Sequence, residues 1–165
     1  GTGFAVLSAM TQPFRHVYGV DLHEKTVDYA RHVVNKFVSH PSVRCSNVDI
    51  TCKNMVDFGF TSLSPNVVLF VYEPLWTVSE VAAHEVYTKC FKRARAECSG
   101  DLIIVYLYVL SYNSCGNAFP ALLQMKPELL YCAKYFSLFF GSYNDMYIYR
   151  IPREGSSSSG SEDTE

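Results

Sequence analysis

The sequence has no pair of cysteines at the two-residue spacing of a zinc or dithiol site. Its six cysteines are scattered along the chain, at positions 45, 52, 90, 98, 115 and 132. The chain shows no secretory signal and is not a small, cysteine-dense scaffold, so we expect free thiols and a cytoplasmic location. The five histidines show no ligand spacing with one another or with the cysteines. This pattern argues against a metal site.

Long apolar runs and basic stripes are also missing. Runs such as 67–72 and 102–110 are far shorter than the roughly 20 residues that span a bilayer, so we interpret them as buried strands and predict no membrane span. Four of the sixteen acids lie in residues 154–165, which leaves fourteen basic and twelve acidic side chains in residues 1–153. No Lys/Arg stripe of the density that tracks phosphates is present, so the sequence gives no nucleic-acid signature.

The composition is that of a folded domain with an apolar, tyrosine-rich character. Of the 165 residues 48% are hydrophobic and 18% are charged, which is enough for one sizeable core. We assign residues 1–153 to this domain. The serine-rich, acidic residues 154–165 are predicted to be a disordered tail.

Strand and helix patterns alternate along the chain, which predicts an α/β fold with a mostly parallel sheet. In the first helix we expect Phe4, Ala5 and Leu7 to pack on the sheet. The predicted helices are 3–10, 25–38 and 78–97, with a shorter helical piece at 120–132. The predicted strands are 16–22, 43–48, 67–72 and 102–110, followed by an antiparallel hairpin of 135–140 and 146–151 around a turn rich in Gly, Asn and Asp.

A glycine turn and an acid eighteen residues after it point to a nucleotide-type cofactor. Gly1, Thr2 and Gly3 lead into the first helix, and Asp21 ends the next predicted strand. Glycine lets the backbone approach a ligand closely, and an acid at the tip of a strand can accept hydrogen bonds from a ribose diol. This pair fits both dinucleotide-binding and methyltransferase folds. The third glycine of the dinucleotide fingerprint falls at Val6, which speaks against NAD.

A parallel α/β unit that ends in an antiparallel hairpin resembles the class I S-adenosylmethionine-dependent methyltransferases, over residues 1–152. The segment 1–3 resembles the end of their glycine-rich first motif. Asp21, in Tyr-Gly-Val-Asp-Leu, is similar to their ribose-binding acid, and Asp49, in Asn-Val-Asp-Ile, to the acid that contacts the adenine amino group. The resemblance implies helices on both sheet faces and S-adenosylmethionine as the cofactor. It further implies that Leu22 and Ile50 adjoin the cofactor.

The segment Tyr-Glu-Pro-Leu-Trp, residues 72–76, lies where many of these enzymes carry Asn/Asp-Pro-Pro-aromatic beside the reactive methyl group. The resemblance implies that Glu73 and Pro74 orient a nitrogen or oxygen nucleophile of an acceptor. It implies that Tyr72 and Trp76 form an aromatic wall for the substrate. Glutamate and Leu75 depart from the pattern, so we keep open a catalytically drifted member that serves as a binding module.

In these enzymes a strand precedes the glycine turn, and this sequence does not contain it. We therefore expect a domain that lacks its first strand, in which the isolated chain binds cofactor weakly and is inactive as a fragment. The acceptor and the oligomeric state are not indicated by the sequence. A nicotinamide-dependent oxidoreductase domain is the third and least favoured hypothesis.

Overall fold

The structure is a computed structural model that describes residues 3–63, 65–72, 80–109, 122, 124–137 and 142–153, with the backbone alone for 72, 80–84, 107–109, 135–137 and 142–145. The chain divides into two compact units, Gly1–Ser64 and Pro65–Glu165, called here the first and the second unit. In chain order the elements are α1 (Phe4–Met10), β1 (Val17–Asp21), α2 (Glu24–Phe37), β2 (Val48–Cys52), a 3₁₀ turn (Met55–Asp57), β3 (Val67–Tyr72), α3 (Glu80–Glu97), β4 (Leu102–Val109), β5 (Glu128–Ser137) and β6 (Ser142–Ile151).

In the first unit β1 and β2 form a parallel pair that runs in register from Val17 beside Val48 to Asp21 beside Cys52. Helices α1 and α2 supply most of its core. The buried residues of this core are Met10, Val27, Ala30, Val34 and Ile50. Three of them recur at helical spacing on α2, and this amphipathic pattern is what allowed the helix to be predicted to within one residue at each end.

The prediction for α1 was right in its extent and for Leu7, and wrong for Phe4 and Ala5. Phe4 is 77% exposed, and Ala5 is also exposed. Val6 and Leu7 pack against the core that contains Met10. The helix turns this face inward because Met10, its last residue, is anchored: its carbonyl accepts hydrogen bonds from the backbone N–H groups of residues 44 and 45.

The strand predicted at 43–48 is wrong, because the strand begins where that prediction ends. The backbone N–H of Val43 bonds to the carbonyl of His40, and that of Cys45 bonds to Met10. These bonds fix residues 43–45 in a turn against α1. Cys45 is buried there but is not part of the sheet. The alternating pattern that begins at Val43 therefore resembles that of a strand without forming one. β2 follows at Val48–Cys52.

The second unit contains a sheet with strand order β3-β4-β6-β5. β3 and β4 are parallel, and β6 is antiparallel to both β4 and β5. The terminal hairpin was predicted, although its strands are longer than expected. The helical piece predicted at 120–132 is helical at residues 122 and 124, but it does not reach residue 132, because β5 begins at Glu128 and pairs with β6 from there. Short apolar segments such as 129–131 are compatible with a helix or a strand, and the pairing with β6 determines which of them forms.

The two faces of this sheet are buried to different degrees. Leu102 and Ile104 on β4 are fully buried. β3 was predicted to be a buried strand, but only one of its faces is buried. Val68 and Phe70 are each 46% exposed, whereas Val71 is only 5% exposed. In the part of the chain described, no helix is long and apolar enough to cross a membrane.

Candidate functional site

Gly3 stands at the start of α1 in a conformation that favours glycine. Its φ is +92°, and a Cβ placed there would lie 3.2 Å from the Cβ of Ala30. Its carbonyl accepts the hydrogen bond of Leu7 N–H at 2.9 Å, which closes the first helical turn. Gly3 is buried, and a side chain at this position would be strained and would crowd Ala30, so glycine allows α1 to begin in close contact with α2. Gly1 and Thr2 lie outside the described residues.

The direction of α1 places Gly3 toward the carboxyl ends of β1 and β2. Met10, at the other end of the helix, is bonded to Cys45, and Asn47 is bonded to Val17 at the amino ends of the strands. A helix of seven residues is about 10 Å long, so its start lies well toward the opposite edge. This is the edge at which α/β folds bind their ligands.

Asp21 is the last residue of β1 at that edge. Its carboxylate accepts a hydrogen bond from the backbone N–H of His23 at 2.9 Å, and its carbonyl accepts one from Lys53 N–H. The pKa of the Asp21 carboxyl is shifted downward: burial raises it, and the hydrogen bond from the His23 backbone N–H is among the interactions that lower it. The side chain is therefore an ionised acceptor at neutral pH, as a ribose-binding acid must be.

Leu22 continues the edge beyond Asp21. Its side chain is 63% exposed, and its carbonyl accepts a hydrogen bond from the Cys52 thiol at 3.3 Å. This bond ties the ends of the two strands together. A large apolar side chain left exposed beside an ionised acid is consistent with contact to a planar apolar group.

Asp49 and Ile50 do not lie at this edge. Asp49 is paired with Tyr18, three residues before the pair of Asp21 and Cys52, which corresponds to about 10 Å along the strand. The Asp49 carboxylate lies 2.9 Å from Nε2 of His16. Ile50 belongs to the core, so the misplaced strand carried both residues away from their predicted position.

The carbonyl of Ile50 is held by Arg31 on α2. The guanidinium donates two hydrogen bonds to it, from Nε at 3.0 Å and from Nη2 at 2.8 Å. The same side chain reaches Asp28 at 3.3 Å. These two hydrogen bonds fix β2 against α2. They therefore help to hold the strand register that places Cys52 at the edge of the sheet.

The residue that follows β2 at the edge was overlooked. Asn54 is exposed two positions after Cys52, and its side-chain oxygen accepts a hydrogen bond from Val56 N–H at 3.2 Å. This bond starts the turn Met55–Asp57 and holds the amide in place. The signal was an Asn two residues after a strand, but the strand was predicted to end at residue 48, so Asn54 was not placed at the edge.

Of the residues predicted to face the acceptor, Tyr72 closes β3 and is paired with Leu107. Glu73, Pro74 and Trp76 lie outside the described residues, so their roles stay predictions. Among the His, Cys, Asp and Glu side chains that the structure describes, no group of three or more could hold a metal ion.

The sequence matches no family model and no curated protein. Solved structures, in contrast, match it over most of its length. The N-methyltransferase NodS from Bradyrhizobium japonicum WM9, in complex with S-adenosyl-L-homocysteine, superposes with a TM-score of 0.64 at 9% identity, over 92% of this chain and 74% of NodS. The magnesium protoporphyrin IX methyltransferase ChlM from Synechocystis PCC 6803, with bound S-adenosylmethionine, gives a TM-score of 0.57 at 12% identity.

The ChlM match covers 83% of this chain and 60% of ChlM, so the chain spans less than two thirds of that protein. The [4+2]-cyclase SpnF is similar too, with a TM-score of 0.57 at 12% identity over 93% of this chain and 72% of SpnF. Identities this low establish the fold alone. The chain has the Rossmann-like fold of the class I S-adenosylmethionine-dependent methyltransferases.

Proposed function

We propose that this chain binds S-adenosylmethionine and transfers its methyl group to a nitrogen or oxygen nucleophile. The observation that carries the proposal is the pairing of a left-handed Gly3 at the start of α1 with an ionised Asp21 at the end of β1. Gly3 allows α1 to begin close to α2, and Asp21 supplies the acceptor for a diol. These two features fit the cofactor and agree with the fold.

The chain's own residues would bind and orient the cofactor. The Asp21 carboxylate would accept hydrogen bonds from the two ribose hydroxyls, and exposed Leu22 would cover one face of the adenine. Since Asp49 is about 10 Å from the edge, we assign the hydrogen bond with the adenine amino group to Asn54 instead. When bound, the cofactor supplies a methyl group already activated on a sulfonium.

On the acceptor side we retain the sequence-based assignment as part of the proposal. The Glu73 carboxylate would accept N–H or O–H hydrogen bonds from the nucleophile and hold it in line, with Pro74 fixing the backbone. Tyr72 and Trp76 would exclude water from the reacting groups. The class of acceptor is not assigned.

A second candidate is a binding module that retains the fold without methyl transfer. The sequence Glu-Pro-Leu at 73–75 departs from the pattern seen in the methyltransferases, and the cyclase SpnF has the same fold. Fold and reaction are therefore separable. Cofactor binding without turnover of any acceptor would favour this candidate.

The decisive experiment is calorimetric titration of S-adenosylhomocysteine into the chain, with NADH as the control ligand. We expect binding of the former alone. Asp21→Ala should weaken it about tenfold or more, because hydrogen bonds to a charged group contribute about 1.5–3 kcal/mol. Asn54→Ala should weaken it less, and Asp49→Ala should leave it unchanged. An Asp49 variant that loses as much affinity as the Asp21 variant would contradict the assignment of the edge.

The pKa of Asp21 adds a prediction about pH. Because the carboxyl has a lower pKa in the folded protein than in the unfolded chain, its stabilising contribution is complete above the unfolded value and is lost as the pH falls through the folded value. We expect the affinity for S-adenosylhomocysteine to be flat near neutrality and to fall only in acid below the ordinary pKa of aspartate. In Asp21→Asn this acid limb should disappear, and a limb that persists would assign it to another group.

A further inference from the structure

A cavity in the first unit lies apart from the candidate cofactor site. It has a volume of about 400 Å³ and is lined by Leu7 of α1 and by Tyr29, His32, Val33, Lys36 and Phe37 of α2. None of these residues belongs to the edge that carries Asp21. The cavity runs along the outer surface of the two helices, and the proposed methyl transfer leaves it without a role.

The floor of the cavity is apolar and half-buried. Leu7 and Phe37 pack on the core of the first unit from the outside. Tyr29 is 57% exposed at the side of the floor. Phe37 is held in place by a stacked contact with His40, whose ring centroid is 4.8 Å away. An apolar surface that is both fixed and accessible is the usual floor of a small-molecule site.

The two walls differ in charge. The sequence of α1, Phe-Ala-Val-Leu-Ser-Ala-Met, contains no charged residue. On α2, Lys25, His32 and Lys36 are spaced by seven and four residues, so they lie along one flank of the helix, next to Tyr29. The nearby acid Asp28 is engaged with Arg31 on another side of the helix. The α2 side of the cavity lining thus carries the positive charge of Lys36, and the lining contains no carboxylate.

We propose that this cavity is a second binding site, for a small carboxylate with an apolar body. The apolar part contacts Leu7, Val33 and Phe37, and the carboxylate is paired with Lys36 at the rim. A volume of about 400 Å³ is within the range of ligand pockets, roughly 300–1,000 Å³. The observations thus favour a small ligand.

The experiment uses the 165-residue chain labelled with ¹⁵N and two probes with the same tail and opposite charges, decanoate and decyltrimethylammonium, below their micelle concentrations. We expect decanoate to shift the amide signals of residue 7 and residues 29–37 saturably, and the cationic probe to bind at least about fivefold more weakly. A difference of this size is what one exposed charge pair provides. Similar shifts with both probes would overturn the proposal, because they would reflect apolar contact alone.

Two variants locate the site. Lys36→Glu should weaken decanoate binding about fivefold or more, whereas Lys92→Glu, the same charge change at an exposed position of α3, should leave it unchanged. Val33→Phe, which fills the floor without altering charge, should abolish saturable binding. Equal losses in the two lysine variants, or decanoate shifts confined to other residues, would contradict the site. Titration of S-adenosylhomocysteine into Lys36→Glu should be normal, so the outcome is independent of the proposed methyl transfer.

Discussion

The sheets of the two units differ in what their less buried faces carry. In the first unit the helices cover the face with Ile50, and the opposite face of β1 carries Tyr18 in a stack with His16 at 4.0 Å and in edge contact with Phe58 at 5.9 Å. In the second unit the less buried face carries Val68 and Phe70, each 46% exposed. The less buried face of the first unit thus makes polar and aromatic contacts, whereas that of the second unit exposes aliphatic and aromatic side chains.

This difference shows where each unit gains its stability. The first unit gains little from a sheet of only two strands and depends on the helices packed against it. The second unit has four strands and fully buried residues such as Phe91 and Leu102. Paired substitutions can test how each unit is packed, because each pair compares a buried, crowded or strained position with a less constrained one.

The largest effect is expected from truncation of a phenylalanine. Phe91→Ala should lower the free energy of unfolding by about 3–5 kcal/mol, because the side chain is fully buried and its loss leaves a cavity. Phe70→Ala should cost about 1 kcal/mol, since half of that ring is already in contact with solvent. Guanidinium denaturation followed by circular dichroism measures both. Equal losses would mean that the face with Phe70 is covered in solution.

The next effect compares a glycine of each unit. A Cβ at Gly100 would collide with the backbone carbonyl of Pro65, which accepts the hydrogen bond of Gly100 N–H at 2.7 Å. Gly100→Ala should therefore cost about 1–3 kcal/mol. At Gly19 the nearest atom is a methyl group of Val6 at 3.0 Å, which can move. Gly19→Ala should cost less than about 1 kcal/mol in the same denaturation experiment, and the reverse order would contradict the structure.

A smaller effect is expected at Gly3. Gly3→Ala forces an L side chain into the left-handed region and should cost about 1–2 kcal/mol. Ser8→Ala, an exposed position of the same helix, is the control and should be near neutral. Thermal melts compare the two. If Gly3→Ala melts like the control, the backbone at the start of α1 is not held as described.

The smallest effect is expected for the hydrogen bond between Asp49 and His16. The Asp49 side chain is 61% exposed, so Asp49→Asn should change the free energy of unfolding by no more than about 1 kcal/mol. Denaturation at neutral pH measures it, with Asp28→Asn as the matched exposed pair on α2. A loss of more than about 2 kcal/mol in the free energy of unfolding would show that the polar face of β1 contributes substantially to the stability of the first unit.

Local sequence signals predicted an element correctly where the residues fit only one type of secondary structure. β3 was located to the residue because 67–72 is an unbroken run of β-branched, aliphatic and aromatic residues. The position of β2 could not be predicted, since it depends on bonds from residues 44 and 45 to Met10, which are distant in sequence. The start of β5 depends in the same way on pairing with β6.

The residues of the candidate site differ in the same way in how far the sequence could predict them. Gly3 and Asp21 were predicted from local features, a glycine turn and an acid at a strand end, and they lie at the start of α1 and the end of β1. Asp49 was predicted at the edge, where we propose Asn54 instead, because the position of the edge along β2 follows from register rather than from composition. An error of a few residues in a strand boundary moves a predicted ligand by about 10 Å.

The place of β6 in the sheet has a consequence for biosynthesis. Among the strands that the structure describes, β6 at residues 142–151 is synthesised after the others, yet it lies between β4 and β5 and joins them. On the ribosome, β3, α3 and β4 emerge first, and β4 cannot complete its pairing with its second neighbour until Ile151 has been made. We expect the aliphatic strand edges of the second unit to stay exposed until β6 has been synthesised, which is when a growing chain is most prone to aggregate.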